Sequence, residues 1–304
     1  MAKRVKMVNP FLIKGRWYKA NLHTHTTVSD GPLSPRERVE QYRQGGYSVL
    51  ALTDHWKTQD VRGLGDKKLL VMSGMEYHPP CADPPGGWWH LVALNVPLAF
   101  KLVEDVPAEV CIEKVRRAGG ENILAHPAWC GQQFADWAHL KKVVAVEVHN
   151  STCAVHGRGT SESDWSIALD RGWRLPAVAS DDCHHAYDND VMESWTWLRM
   201  PQLSAAEVLK ALRTGACYAS CGPVIHDFRV EGDTVQLRCS PAAEITFISL
   251  PGMGTRRRAE EGKSITSFAF KAKGRRGWPW RYVRAVVTDA RGRRAWANPI
   301  YSRG

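Results

Sequence analysis

Short β-branched runs alternate with helix-like segments through about the first 220 residues, and most of these runs lead into polar residues. Residues 18–22 lead to His23 and His25, and residues 47–53 lead to Asp54 and His55. Alternating strands and helices favour parallel β/α units, and in a β/α barrel the carboxyl ends of the strands meet at one rim. The pattern therefore predicts a β/α barrel with polar side chains from many strands at its mouth.

Helix boundaries are marked by capping residues and glycines. Ser34, Pro35 and Glu37 form a capping box with proline at the first helical position, and this helix is predicted to end near Gly45. Further helices are predicted over 107–118, around 162–171, and from Ser204 to Gly215.

The character of the chain changes after about Pro223. Strand-like runs follow at 228–230, 235–239, 245–250, 267–271 and 282–288, with turn sequences between them and no convincing helical period. Such spacing is typical of an all-β sandwich. We therefore expect a barrel over residues 1–223 and a small, sandwich-like β domain over residues 224–304.

The composition is that of an ordinary globular protein, with 44% hydrophobic and 24% charged residues in 304. No apolar run approaches the roughly 18 residues of a membrane span, and the basic start has too short an apolar stretch for a signal peptide. A cytoplasmic protein without membrane association is expected. The eight cysteines include no C-x-x-C pair, so mostly buried free thiols are expected.

Candidate metal ligands recur along the predicted barrel. His23 and His25 are two residues apart, so on a strand both imidazoles point to the same side. Ten residues are candidates: His23, His25, Asp30, His55, Glu76, His90, His126, His149, Asp182 and His184. Each alone is explained as a hydrogen-bonded polar residue, but so many at one rim predict a metal site. The mixed nitrogen and oxygen donors suit zinc, manganese or iron(II).

The order of these motifs is similar to that of a known family. The matching segments are His23-Thr24-His25, Ser29-Asp30-Gly31, Thr53-Asp54-His55, Glu76, Ala125-His126-Pro127 and Asp182-Cys183-His184. Over about residues 16–222 the chain resembles the polymerase and histidinol phosphatase (PHP) family. Residues 218–223 and a tail ending in residues 295–301 resemble its carbaryl-hydrolase-like subgroup.

The resemblance implies a distorted (β/α)7 barrel with two to three divalent ions in a trinuclear centre. It assigns His23, His25, Glu76 and Asp182 to one ion, Glu76, His90 and His126 to a second, and Asp30, His55 and His184 to a third. It implies catalytic roles for Glu76, Asp182 and His184, and it implies that Asp54 and Asp181 orient imidazoles.

The resemblance implies a metal-dependent hydrolase. We expect a phosphoesterase that attacks a small organic phosphate mono- or diester with a metal-bound hydroxide. A carboxyl-ester or carbamate hydrolase using the same centre is the alternative. A non-catalytic module would show missing ligands, and no ligand position is missing. No nucleic-acid-binding signature is found, so a nucleic acid partner is not expected. The natural substrate and oligomeric state stay open.

Several rim residues could contact a small anionic or aromatic substrate. The polar candidates are Lys57, His149, His156, Arg158 and His185, each of which is also explained as a solvated residue. Trp88 and Trp89, together with Trp56 and Trp129, lie within four residues of a proposed ligand, and they form either an aromatic pocket or part of the packing. The net charge of +10 favours anionic partners or reflects an arginine-rich surface.

Overall fold

Seven strands form a barrel in the computed structural model, which describes residues 6–81, 87–272 and 281–302. They are β1 (Arg16–Asn21), β2 (Val49–Leu52), β3 (Leu70–Tyr77), β4 (Leu91–Leu94), β5 (Glu121–Leu124), β6 (Ala145–Asn150) and β7 (Ala177–Ser180), paired in that order. Just past the strand ends, Thr24 and Cys183 form a parallel bridge, and Asp182 N donates to His23 O over 3.0 Å. These contacts join β7 to β1, so the ring closes at the rim predicted to hold the polar residues.

One barrel strand runs against the others. β4 is antiparallel to both β3 and β5, so the expectation of parallel units is wrong for this strand. The connection from β3 to β4 has no helix among its described residues, and antiparallel pairing needs no helical crossover. Because β4 is reversed, its start lies at the same rim as the ends of the parallel strands. His90, which precedes β4, is therefore brought to the barrel mouth.

The predicted helices form, with two short ones that the sequence did not predict. The helices are α1 (Pro35–Gln44), α2 (Ala108–Arg117), α3 (Phe134–Trp137), α4 (Ser151–Val155), α5 (Glu162–Asp170) and α6 (Ala205–Thr214). The capping box of Ser34 and Glu37 is present, and Gly215 ends α6 in the left-handed conformation with φ 70°. The unpredicted helices are α3 and α4, which are too short for a periodic pattern.

Two further strands, β8 (Trp195–Met200) and β9 (Cys217–Ser220), extend the barrel sheet beyond β1. β8 is antiparallel to β1, and β9 is antiparallel to β8. Thr196 on β8 also exchanges hydrogen bonds with the backbone of Ala179 on β7. The additional pair thus covers the side of the barrel where β7 meets β1.

The C-terminal region is antiparallel β structure. Its strands are β10 (Ile225–Glu231), β11 (Thr234–Ala242), β12 (Glu244–Ile248), β13 (Gly254–Arg258), β14 (Ile265–Lys271), β15 (Tyr282–Thr288) and β16 (Arg294–Tyr301). One sheet has the order β10-β11-β14, and it encloses an apolar core with β12, β15 and β16 that includes Phe228, Leu237, Phe247 and Val283. The predicted architecture is confirmed: an α/β barrel followed by an antiparallel β region.

The two regions share a sheet, because β16 pairs antiparallel with β9. A polar contact reinforces this connection. Glu162 at the start of α5 accepts hydrogen bonds from Arg284 (2.9 Å) and from the Trp296 indole (2.8 Å). The predicted boundary between residues 223 and 224 falls just before β10 and stays a prediction.

Within the described ranges, none of the helices combines the length and apolarity needed to cross a membrane. Six cysteines are buried free thiols, as expected: Cys111, Cys130, Cys153, Cys183, Cys217 and Cys239.

Candidate metal centre

The Glu76 carboxylate, at the end of β3, lies at the centre of the barrel mouth and is 1% exposed. Three imidazole nitrogens surround its Oε2 atom: His23 Nε2 at 3.2 Å, His25 Nε2 at 3.3 Å and His55 Nδ1 at 3.0 Å. His23 and His25 follow β1, and their rings point to one side, as their spacing predicts. One oxygen of Glu76 is thus shared by histidines from two strand ends.

Three further imidazoles approach the other oxygen, Glu76 Oε1. His90 Nδ1 lies 2.9 Å away, and His126 Nε2 and His78 Nε2 each lie 3.4 Å away. His78 was not among the sequence-predicted ligands. It is two residues from Glu76, so the strand alternation that links His23 to His25 also places His78 on the inner face.

The Asp182 carboxylate approaches the same histidines from the opposite side. Its Oδ1 lies 2.9 Å from His25 Nε2 and 3.1 Å from His23 Nε2, and its Oδ2 lies 3.5 Å from His126 Nε2. Asp182 and His126 have positive φ angles, 55° and 24°. Non-glycine residues rarely adopt this conformation, and such strain clusters at functional sites.

An outer group of ligands surrounds Asp30. Asp30 Oδ2 lies 3.2 Å from His55 Nε2 and 3.4 Å from His184 Nε2, and Oδ1 lies 3.6 Å from His25 Nδ1. The Asp30 side chain is half exposed, whereas Glu76 and His25 are buried. The centre is therefore open to solvent on the Asp30 side.

All nine residues in the predicted ligand set meet at this mouth. Two groups with ligand atoms close enough to share an ion are His23, His25, Glu76 and Asp182, and His25, Asp30, His55 and His184. Their roles as ligands stay a prediction.

The donor atoms fit bound cations. His55 Nδ1, His78 Nε2 and Asp182 Oδ1 are buried and have no hydrogen-bond partner in the described part of the chain. Buried polar atoms are rarely left without a partner, and these three point into one cluster. Imidazole and carboxylate donors in this mixture suit divalent zinc, manganese or iron.

The carboxylates hold several imidazoles in the protonated form when no ion is bound. Burial opposes a charge on His55, but the nearby carboxylates of Asp30 and Glu76 raise its pKa to about 10. The pKa of His184 is likewise raised to about 9 against burial, by Asp30 and Asp182. For His90 burial prevails and lowers the pKa to about 4. A bound ion would replace the protons on His55 and His184.

A buried carboxylate that the sequence analysis missed supports the centre from behind. Glu147 on β6 lies 3.1 Å from His23 Nδ1, the nitrogen opposite the one facing Glu76, and accepts a hydrogen bond from His126 N at 3.1 Å. Asn150 Nδ2 donates to Glu147 Oε2 (3.0 Å) and to Asp182 Oδ2 (3.2 Å). Carboxylates in this position orient ligating imidazoles and set their tautomer.

His149, predicted to face the pocket or to be a spare ligand, points elsewhere. The pairing of β6 with β7 shifts register between Glu147 and His149. His149 stacks on Trp296 of the C-terminal region, with ring centroids 5.5 Å apart. Burial lowers its pKa to about 4. An irregularity of this kind re-aims side chains, and it is Asn150 that reaches the centre.

Asp54 and Asp181 organise backbone rather than imidazoles, which corrects the expectation for both. Asp54 accepts hydrogen bonds from Thr26 N and Ser29 N, and so holds the turn that carries Asp30. Asp181 accepts hydrogen bonds from Met192 N at 3.0 Å, from Ser194 N at 2.7 Å and from the Tyr42 hydroxyl at 2.6 Å, and burial raises its pKa to about 7.

The two tryptophans proposed for substrate binding differ in exposure. Trp89 is 4% exposed and contacts His139 outside the mouth, as part of the core between barrel and helices. Its packing therefore excludes Trp89 from an aromatic pocket. Trp88 is 48% exposed, as a substrate contact would require.

The polar substrate candidates lie on the rim loops. Lys57 is exposed and donates to Val28 O over 2.7 Å. His185 lies 2.9 Å from Asp190, whose carboxylate also accepts from His184 N. Arg158 is exposed. Their substrate roles stay predictions.

Comparison with protein-family models gave no match, and no curated protein matches the sequence. Among solved structures, a two-domain protein from Bacteroides vulgatus, described as containing a predicted PHP-like metal-dependent phosphoesterase, is 16% identical. The similarity covers 95% of each chain, with a TM-score of 0.57.

Two other structures are similar to part of this chain. A proposed metal-dependent phosphoesterase from Bifidobacterium adolescentis is 16% identical, with coverage of 66% of this chain and 97% of its own and a TM-score of 0.46. An amidohydrolase from Chromobacterium violaceum is 15% identical, with coverage of 56% and 89% and a TM-score of 0.40. The chain thus has a two-domain, PHP-like fold that gathers buried histidines and carboxylates at the barrel mouth.

Proposed function

We propose that this chain is a metal-dependent hydrolase, specifically a phosphoesterase that acts on a small organic phosphate mono- or diester. The observation that carries the proposal is the convergence of six imidazole nitrogens on the two oxygens of Glu76, with Asp182 opposite. Such a cluster is costly to bury unless cations occupy it. The B. vulgatus protein has a similar fold, and its description names a predicted PHP-like metal-dependent phosphoesterase.

The charge of the cluster favours an anionic substrate. Four carboxylates contact the ligand imidazoles: Asp30, Glu76, Glu147 and Asp182. Three divalent ions would carry six positive charges against these four and one metal-bound hydroxide, leaving an excess of one. A phosphate ester would neutralise that excess, whereas a neutral carbamate would not.

The residues of the chain have distinct roles in this scheme. Glu76, Asp182 and the surrounding histidines would hold the ions, and the half-exposed Asp30 lies where substrate enters. When bound, the ions supply Lewis acidity and activate water at neutral pH. Glu147 and Asn150 keep the His23 ring and the Asp182 carboxylate in place. The candidates for contacting the organic group of the substrate are Trp88, Lys57 and Arg158.

The proposal is tested by a hydrolysis panel on the purified chain loaded separately with Zn²⁺, Mn²⁺ and Fe²⁺. The panel sets p-nitrophenyl phosphate, bis-p-nitrophenyl phosphate and nucleotides against 1-naphthyl acetate and a 1-naphthyl carbamate. Metal-dependent turnover confined to the phosphates is expected. Turnover of the ester or carbamate alone would refute the phosphoesterase proposal. It would indicate a carboxyl-ester or carbamate hydrolase, the activity suggested by the subgroup resemblance.

A further inference from the structure

We propose that His78 is a metal ligand, so that the ion on the Oε1 side of Glu76 is held by three histidines and one glutamate. This inference deepens the proposed function and rests on its metal centre. The family resemblance assigns only His90, His126 and Glu76 to that ion.

Geometry places His78 among the ligands, because His55, Glu76 and His78 offer atoms close enough to share an ion. Its Nε2 lies 3.4 Å from Glu76 Oε1, the same distance as His126 Nε2, and its ring centroid lies 4.2 Å from that of His90. The ring centroids of His90 and His126 are 4.9 Å apart. Three imidazoles thus converge on one carboxylate oxygen, a donor set that zinc accepts in tetrahedral sites.

The His78 Nε2 atom lacks a hydrogen-bond partner among the described residues, which indicates that another group binds there. Nε2 is buried and has no hydrogen bond in the described part of the chain, although the side chain is 18% exposed. A buried imidazole nitrogen without a partner is costly. A cation between His78, His90 and Glu76 would satisfy it.

The chain direction explains how the residue reaches this position. Glu76 and His78 are separated by Tyr77, whose side chain points outward and donates to Asn122 over 2.6 Å. Because neighbouring residues of an extended chain face opposite sides, His78 returns to the inner face. The same E-x-H pattern recurs at Glu147 and His149, but there the register shift turns the histidine away.

Substitution by cysteine gives a positive test. A thiolate that binds Co²⁺ produces a near-ultraviolet charge-transfer absorption, so we expect His78→Cys loaded with Co²⁺ to gain this band over the wild-type protein. The matched control is His139→Cys, because His139 pairs with Glu109 outside the mouth and should gain no band.

Metal affinity gives a second readout that does not depend on activity. In Zn²⁺ titrations against a chelator, with folding checked by circular dichroism, we expect His78→Ala to weaken one class of sites by at least about tenfold. His90→Ala is the positive control and should lose an ion. If it does, an unchanged Zn²⁺ affinity in His78→Ala together with no absorption band in His78→Cys would refute the role of His78. A wild-type chain that binds no divalent ion would overturn the proposed function itself.

Discussion

Replacing Glu147 by glutamine should weaken metal binding without disturbing the fold. The Glu147 carboxylate accepts three hydrogen bonds, from His23 Nδ1, His126 N and Asn150 Nδ2. Glutamine has the same shape but only one acceptor oxygen, so its NH₂ group must face a donor, and the negative charge behind His23 is lost. Loss of such a partner costs about 10- to 100-fold in metal affinity, or about 1.4 to 2.8 kcal/mol.

The assay is a competition titration with a chromophoric chelator, using Zn²⁺ and Mn²⁺ separately. Glu121→Gln is a matched control, because Glu121 is also buried in a barrel strand but lies beside Arg213 and outside the ligand cluster. We expect its metal affinity to equal that of the wild type. Equal affinity in Glu147→Gln and Glu121→Gln would refute the supporting role of Glu147.

Three further outcomes are expected. Glu76→Ala removes both oxygens on which the imidazoles converge, so bound metal, measured by elemental analysis, and hydrolysis should both be lost; full activity in this variant would contradict the site. Because the metal-free pKa values of His55 and His184 are raised to about 10 and about 9, binding must displace protons. Metal affinity should therefore fall as the pH is lowered below about 10, and more steeply below about 9. Calorimetry in buffers of different ionisation enthalpy measures the protons released, and a pH-independent affinity would contradict the expected displacement. Trp89→Ala should lower the free energy of unfolding by about 3 to 5 kcal/mol because the side chain is buried, whereas Trp88→Ala should leave denaturant stability nearly unchanged and weaken substrate binding if Trp88 contacts substrate.

Local sequence signals were sufficient for much of the secondary structure. Ser34 with Glu37, and Ser204 with Gly215, mark helix ends that the structure reproduces within one or two residues, since capping depends on neighbouring residues. The direction of β4 could not be predicted in this way, because it depends on which edge of the sheet the chain returns to. Likewise, β16 pairs not only with its sequence neighbour β15 but also with β9, a partner far away along the chain.

For the candidate site, too, some features were predictable from local sequence and others were not. The spacing of His23 and His25, the motif order and the position of each ligand near a strand end were enough to predict that nine side chains would meet, because the carboxyl ends of barrel strands converge. The sequence alone also contained the E-x-H pattern of Glu76 and His78, although the pattern gains meaning only beside the other ligands.

The sequence by itself determined the alternation of strands and helices, the ends of the four longer helices and most of the residues that gather at the mouth, because these follow from local patterns, from motif order and from the geometry common to barrels. Only the tertiary structure decided which neighbours face the centre. A register shift on β6 turned His149 onto Trp296 and Asn150 inward. The reversal of β4 brought His90 to the rim, and the packing of the outer core buried Trp89. These outcomes depend on contacts between distant segments, which no local pattern encodes.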